Sequence, residues 1–198
     1  MKTKSRKVKV VKERQVHTYA ELWHASDCVL KAGIANPVGS SWQFLSSIIL
    51  TAFAFEAYMN HVGSQIFSCW EGLERLAPIA KFELISESLK VEFTEGKNKR
   101  PLNTIGMLFA FRKEIAHGRS QNLKPDPILR DVNENLDSYL GQRPLTFWEQ
   151  QIKDNEFAKL AREDVQTVLQ KLNDARPEPK EHLFMLGSSF HSASLVEE

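Results

Sequence analysis

Composition excludes more than it suggests. Only two cysteines, Cys28 and Cys69, occur in 198 residues, far apart and without a metal or redox spacing, so neither a disulfide framework nor a cysteine-based metal knuckle is expected. No apolar run is long enough for a membrane span. The longest, FLSSIILTAFAFEAYM, is broken by serines and by Glu56, whereas a span needs ~20 mostly apolar residues. Charge of one sign is also lacking: the formal net charge is +1, so the molecule as a whole is no polycation. The basic start MKTKSRKVKVVKER has no apolar core behind it, so a secretory leader is not expected and a reducing, cytoplasmic setting is. There is no glycine-rich phosphate loop, no HExxH and no convincing Ser-His-Asp order. His17, His24, His61, His182 and His191 show no zinc-site spacing. The expectation is therefore no cofactor and no metal.

What the chain does have is helical periodicity. The expected order begins with a basic arm over residues 1–15, either a solvated terminus or a grip for phosphates. A helical domain follows over 16–174, and a tail of little periodicity, flexible or docked on a partner, over 175–198. Within the domain, Tyr19, Ala20, Trp23, Leu30 and Ile34 recur at helical spacing between Val16 and Ala35. NPVGS breaks the chain, and Ser40 or Ser41 can cap a long helix running to about Trp70, apolar on most sides and so central to the core. Pro78 opens a third helix with a stripe of Ile79, Phe82, Ile85 and Leu89. After the basic loop TEGKNKR, a fourth helix fits between Pro101 and Gly118. Residues 119–148, with Pro125, Pro127, Gly141 and Pro144, read as a loop-rich elaboration holding a helix near 128–140. A last helix from about Asn155 to Asn173 carries a clean apolar face. With no internal repeat and no strand hairpin evident, the expected fold is all-α, an up-and-down bundle of four to five main helices.

Two charges interrupt this apolar pattern. On a wheel of ~100° per residue, Leu102, Ile105, Leu108, Phe109, Ile115 and Ala116 share one face of the fourth helix, and Arg112 falls within it. On the central helix Glu56 has Ala52, Phe53, Met59 and Asn60 around it. An unpaired charge in such surroundings costs several kcal/mol, so Glu56 is expected to face Arg112. That pair either orients the bundle or marks a functional cleft. His117, in the last turn, lies ~140° around the helix from Arg112. It either complements the helix dipole or takes part in chemistry, with a second molecule completing the site. His61, a little further along the central helix, could approach the same cleft.

The stretch FAFRKEIAHGRSQ resembles the signature of the HEPN superfamily, in which catalytic members carry an arginine, four to six residues and a histidine near the end of a late helix. Here these are Arg112 and His117. LTAFAFEAYMNHV is similar to the family's second long helix, with Glu56 at the supporting acidic position. The resemblance implies a metal-independent ribonuclease, often a toxin or anti-phage component with an antitoxin or regulatory partner, acting as a homodimer whose two helix ends meet. It assigns His117 to general acid–base catalysis, Arg112 to the phosphate and Glu56 to holding Arg112. Lys113 stands where active members often have Asn, Asp or His. Lys113, Arg119, Lys97, Lys99 and Arg100 would grip RNA phosphates, although solvated-face chemistry explains them equally well. The alternative is a non-catalytic helical binding or dimerisation module of the same fold.

Overall fold

The computed structural model describes residues 7–129, 131, 143–178 and 180–196. Among these it is mostly helical. Strand β1 (Lys7–Arg14) leads into α1 (Thr18–Ala35) and the long α2 (Ser41–Ile66). A single turn, α3 (Trp70–Leu73), and α4 (Pro78–Ser88) come next, then α5 (Leu102–His117), a short α6 (Phe147–Ile152), α7 (Glu156–Ala175) and strand β2 (Ser189–Val196). The helix expected near 128–140 falls mostly outside the described residues.

The core forms where the periodicity places it. Phe44, Ile48, Ala52, Phe55, Tyr58, Met59 and Val62 of α2 are buried on several sides of the helix, and Phe157, Ala161, Val165, Val168, Leu169 and Leu172 of α7 pack toward it. The first helix stops short of the full expected stripe: Ile34 is exposed, and Gly33 is buried instead, because a Cβ there would meet Phe44 at 2.9 Å. The fourth helix also turns differently. Thr104, Ile105, Leu108 and Phe111 form its buried line, while Ala116 is exposed and Arg112 sits on the flank. Gly118 ends α5 without a left-handed backbone, at φ −56°. Its value is close approach, since a Cβ would come 2.9 Å from the Glu114 carbonyl oxygen. Before α6, Thr146 and Glu149 form a reciprocal capping box, a start signal written in the sequence as Thr-x-x-Glu.

Directions follow from side-chain contacts. Arg100, just before α5, pairs with Asp164 of α7, while Phe111, late in α5, meets Phe157 at the start of α7 with ring centres 6.3 Å apart. The two helices are therefore antiparallel. Tyr58 bonds Asn173 and Arg176 bonds Gln65, so α2 and α7 run the same way. α6 packs on both α2 and α5. One end of the bundle thus gathers the starts of α2 and α7, all of α6 and the finish of α5.

The termini add a small sheet to the expected helical fold. The basic arm and the tail are joined as an antiparallel two-stranded ribbon, Lys7 opposite Val196 and Arg14 opposite Ser189. The pairing continues as Gln15 N–H to Ser188 O at 2.8 Å and His17 N–H to Leu186 O. Gly187 makes this close approach possible: its φ is +108°, and any Cβ would collide with Gln15 O. Upstream, Phe184 stacks on Trp23 at 4.3 Å, which fixes the tail to α1.

Candidate functional site

Glu56 and Arg112 meet. The Arg112 guanidinium lies 3.6 Å from one Glu56 oxygen, with the side chains 33% and 24% exposed respectively. Half-burial matters here, because it leaves the pair lowered in dielectric yet open to a ligand. The guanidinium also lies over the Phe53 ring at 5.8 Å. At 3.6 Å the ion pair is too long for a hydrogen bond, and among the described residues none of the five Arg112 N–H donors is engaged in one. A guanidinium held in place but with its planar fork unused is suited to an anion with two oxygens.

The sequence reading missed a third charge. Lys81 of α4 is 1% exposed and donates to the other Glu56 oxygen at 3.2 Å and to Asn60 Oδ1 at 2.8 Å. Asn60 stands one turn beyond Glu56 on α2, so the two acceptors share a face. One carboxylate is thus shared by two cations, and the cluster retains one positive charge. The sequence signal was weak: Lys81 stands at the edge of the stripe of Ile79, Phe82, Ile85 and Leu89, and only the fold buries it beside Phe82 and Ile85, where a lysine demands a partner.

His117 closes α5, five residues after Arg112. It is exposed, and among the described residues it makes no side-chain hydrogen bond or ion pair. Lys113 and Arg119 are exposed nearby in chain order and form no ion pair among the described residues. The loop cations differ. Lys97 pairs with Glu83 at 2.6 Å, Lys99 with Glu95 at 3.7 Å, and Arg100 with Asp164 and Glu163. They also sit before the opposite end of a 16-residue helix, which spans roughly 24 Å. The structure does not bring them to Arg112 and His117.

His61 does not join the cleft. It follows Asn60 on α2 but belongs to a separate polar network toward the finish of that helix, with ring centres 5.1 Å from His17 and 4.9 Å from Tyr19. Its Nε2 faces the Gln65 amide at 3.2 Å and Glu181 at 3.8 Å. Burial, reinforced by Arg176, holds its pKa below the usual imidazole value against the pull of Glu181. Arg176 anchors this network, donating to Asn173, Gln65 and Glu181. Tyr58 bonds Asn173 there, and burial pushes its phenol well above the ordinary tyrosine value.

Among the described residues no group of three or more His, Cys, Asp or Glu side chains could hold a metal ion, and no helix is long and apolar enough to cross a membrane. Cys28 and Cys69 are both free and exposed. No family model, curated protein or solved structure matches the chain.

Proposed function

We propose that this chain is a metal-independent endoribonuclease of the HEPN type, cleaving RNA by attack of its own 2′-hydroxyl. The observation that supports the reading is the half-exposed Arg112, held by Glu56 and Phe53 with its N–H donors unengaged, on the same helix that ends in exposed His117. In the reaction His117 accepts the 2′-hydroxyl proton, the O2′–P bond forms and the P–O5′ bond breaks. The 5′-oxygen takes a proton from water as it leaves, and His117 returns its own to solvent, giving a 2′,3′-cyclic phosphate and a 5′-hydroxyl end. Histidine is the residue type fitted to move protons near neutral pH. Arg112 stabilises the charge that builds on the phosphoryl oxygens, and Lys81 keeps Glu56, and through it Arg112, in position.

Because His117 lies ~140° from Arg112 around an ideal helix, one copy presents the two poorly to a single phosphate. A homodimer that brings two α5 ends together supplies both from different chains. Purified protein incubated with assorted RNAs in EDTA tests the chemistry. Cleavage is expected to persist in the chelator and to vanish when the 2′-hydroxyl is replaced by hydrogen. Cleavage that needs a metal, or that ignores this replacement, overturns it. Light scattering at tens of micromolar is expected to give a dimer.

The isolation of His117 favours the second reading, a non-catalytic binding or dimerisation module, since in one copy nothing orients the imidazole. A dimer that binds RNA without cutting it would establish that reading instead.

A further inference from the structure

Trp42 occupies the first turn of α2 with 66% of its surface exposed. Burying an indole is strongly favourable, so an exposed one beside a cavity asks for an occupant. A cavity of about 390 Å³ opens beside it, lined by Trp42 and Trp148 together with Leu145, Ile152, Arg143 and Lys153. That volume is at the small end of the ~300–1,000 Å³ typical of small-molecule pockets, the size of a single flat ring system rather than a helix or a strand. Trp148 is packed against the core and α6 is fixed by its capping box, so the floor of the cavity is rigid.

The charges at the rim are asymmetric in availability. The Glu149 carboxylate also lines the cavity, but it accepts from the Thr146 N–H and hydroxyl and pairs with Arg143 at 3.5 Å. Hydrogen bonding to the Thr146 backbone, then to its hydroxyl, holds Glu149 below the usual carboxylate range. Asp154 caps the Glu156 N–H and lies 4.0 Å from Lys153. Each acid thus turns one oxygen to backbone and the other to a neighbouring cation, while the Arg143 and Lys153 side chains still reach outward, 81% and 64% exposed, where a phosphate can meet them. Aromatic surface flanked by outward cations is how proteins hold unpaired bases: every base has a face to stack and every linkage a phosphate to meet. The cavity also lies at the end of the bundle where α5 finishes at His117.

We infer that the Trp42–Trp148 cavity is a stacking site for an unpaired base of single-stranded RNA, with Arg143 and Lys153 meeting the flanking phosphates. The choice of RNA rests on the ribonuclease reading; the stacking chemistry does not. With two acids close by, salt dependence is modest and base stacking dominates, so binding is tolerant of sequence and selective for single strands.

Stacking needs no 2′-hydroxyl, so a short single-stranded DNA oligonucleotide serves as an uncleavable probe, followed by fluorescence anisotropy and tryptophan quenching. The wild-type chain is expected to bind it and to ignore the same sequence as a duplex. Trp42→Ala, an exposed change checked by thermal melt, is expected to weaken binding about five- to a hundredfold, the range of one lost base–aromatic stack. Trp42→Phe, which keeps a ring, should weaken it less. Equal binding by wild type and Trp42→Ala, equal binding of duplex, or no binding by the wild type overturns the inference. Cleavage of RNA that is indifferent to Trp42→Ala sinks the stacking site and leaves the ribonuclease reading standing. Oligonucleotide binding that depends on Trp42, in a chain that cuts no RNA, does the reverse. A protein captured at this face in place of the oligonucleotide would also count against it.

Discussion

Arg176 and Arg112 occupy opposite situations in one bundle. Arg176, beyond the last turn of α7, is buried and bonds Asn173, Gln65 and Glu181. Arg112, toward the finish of α5, is a third exposed and among the described residues makes no hydrogen bond, its carboxylate partner being shared with Lys81. The first is a guanidinium whose donors are satisfied by its own chain, which is what a structural role looks like. The second is placed by its own chain but not hydrogen-bonded by it. A buried arginine network resists change, whereas a held guanidinium whose donors its own chain leaves free is suited to an anion. The difference also separates stability from function: the closed end should unfold when cut, and the open end should lose activity.

The sharpest way to break this comparison is His117→Ala. The side chain is exposed and bonded to nothing among the described residues, so the melting temperature should not move. RNA cleavage should fall at least ~100-fold, the lower bound of general acid–base help. A variant that melts several degrees lower would mean that His117 belongs to the fold. One that cleaves normally would remove it from the chemistry.

Glu56→Ala should lose both properties. It strands Lys81, 1% exposed, with only Asn60 for company, and it releases Arg112. Breaking a fully buried pair costs about 3–5 kcal/mol. Glu56 is itself partly exposed, which puts the expectation near 3 kcal/mol, or roughly 6–12 °C for a chain of this size. Arg112→Ala should cost less, because Glu56 keeps Lys81. Equal losses from the two variants, measured by melts in parallel, would show that Lys81 is not the deeper member of the trio.

Much of this was legible in the sequence, and the omissions have physical causes. The Glu56–Arg112 contact follows from two charges on apolar faces, since each needs a partner and few are on offer. The helices of 18–35, 41–66 and 156–175 announce themselves by period. Lys81 escaped because a lysine beside an apolar stripe is normally solvated, its stem lying along the surface. The ribbon escaped for another reason. KVKVV alternates as a strand does, but its partner lies some 180 residues away, and no local signal reports a pairing made across the whole chain. Lys97, Lys99 and Arg100 were grouped with Arg112 and His117 from charge alone, and charge does not reveal that they stand before the opposite end of α5, beside Glu83, Glu95 and Asp164.

At the closed end, Arg176→Ala leaves Gln65 and Glu181 without their donor, though Asn173 keeps Tyr58. Gln65 is exposed and Glu181 partly so, so both can turn to water, and a cost of about 1 kcal/mol is expected for the lost hydrogen bonds, with the specific rate of RNA cleavage unchanged once folded protein is counted. A fall in that rate at full folding would tie the two ends together.

The smallest effect concerns protons and probes the same network. His61 is held below the usual imidazole value first by burial, then by Arg176. The folded chain therefore binds this proton less readily than the unfolded one. Stability from this group is fully present above the unfolded value, about 6.5. It is lost as pH falls through the window between that value and the lower folded one, because there the unfolded state takes up more protons. Glu181 pulls the other way: protonated His61 would gain a partner 3.8 Å from Nε2, but Gln65 must first give up its bond to the same nitrogen. Burial is the leading cause, so the loss on acidification should prevail. Melts of wild type at pH 7.5 and 5.5 should differ more than those of His61→Phe, which keeps a ring beside His17 and Tyr19 but cannot titrate. If the variant shows the same difference, the acid sensitivity lies elsewhere. If wild type is the more stable at pH 5.5 and the variant is not, Glu181 wins over burial, and this end of the bundle is less closed than its hydrogen bonds imply.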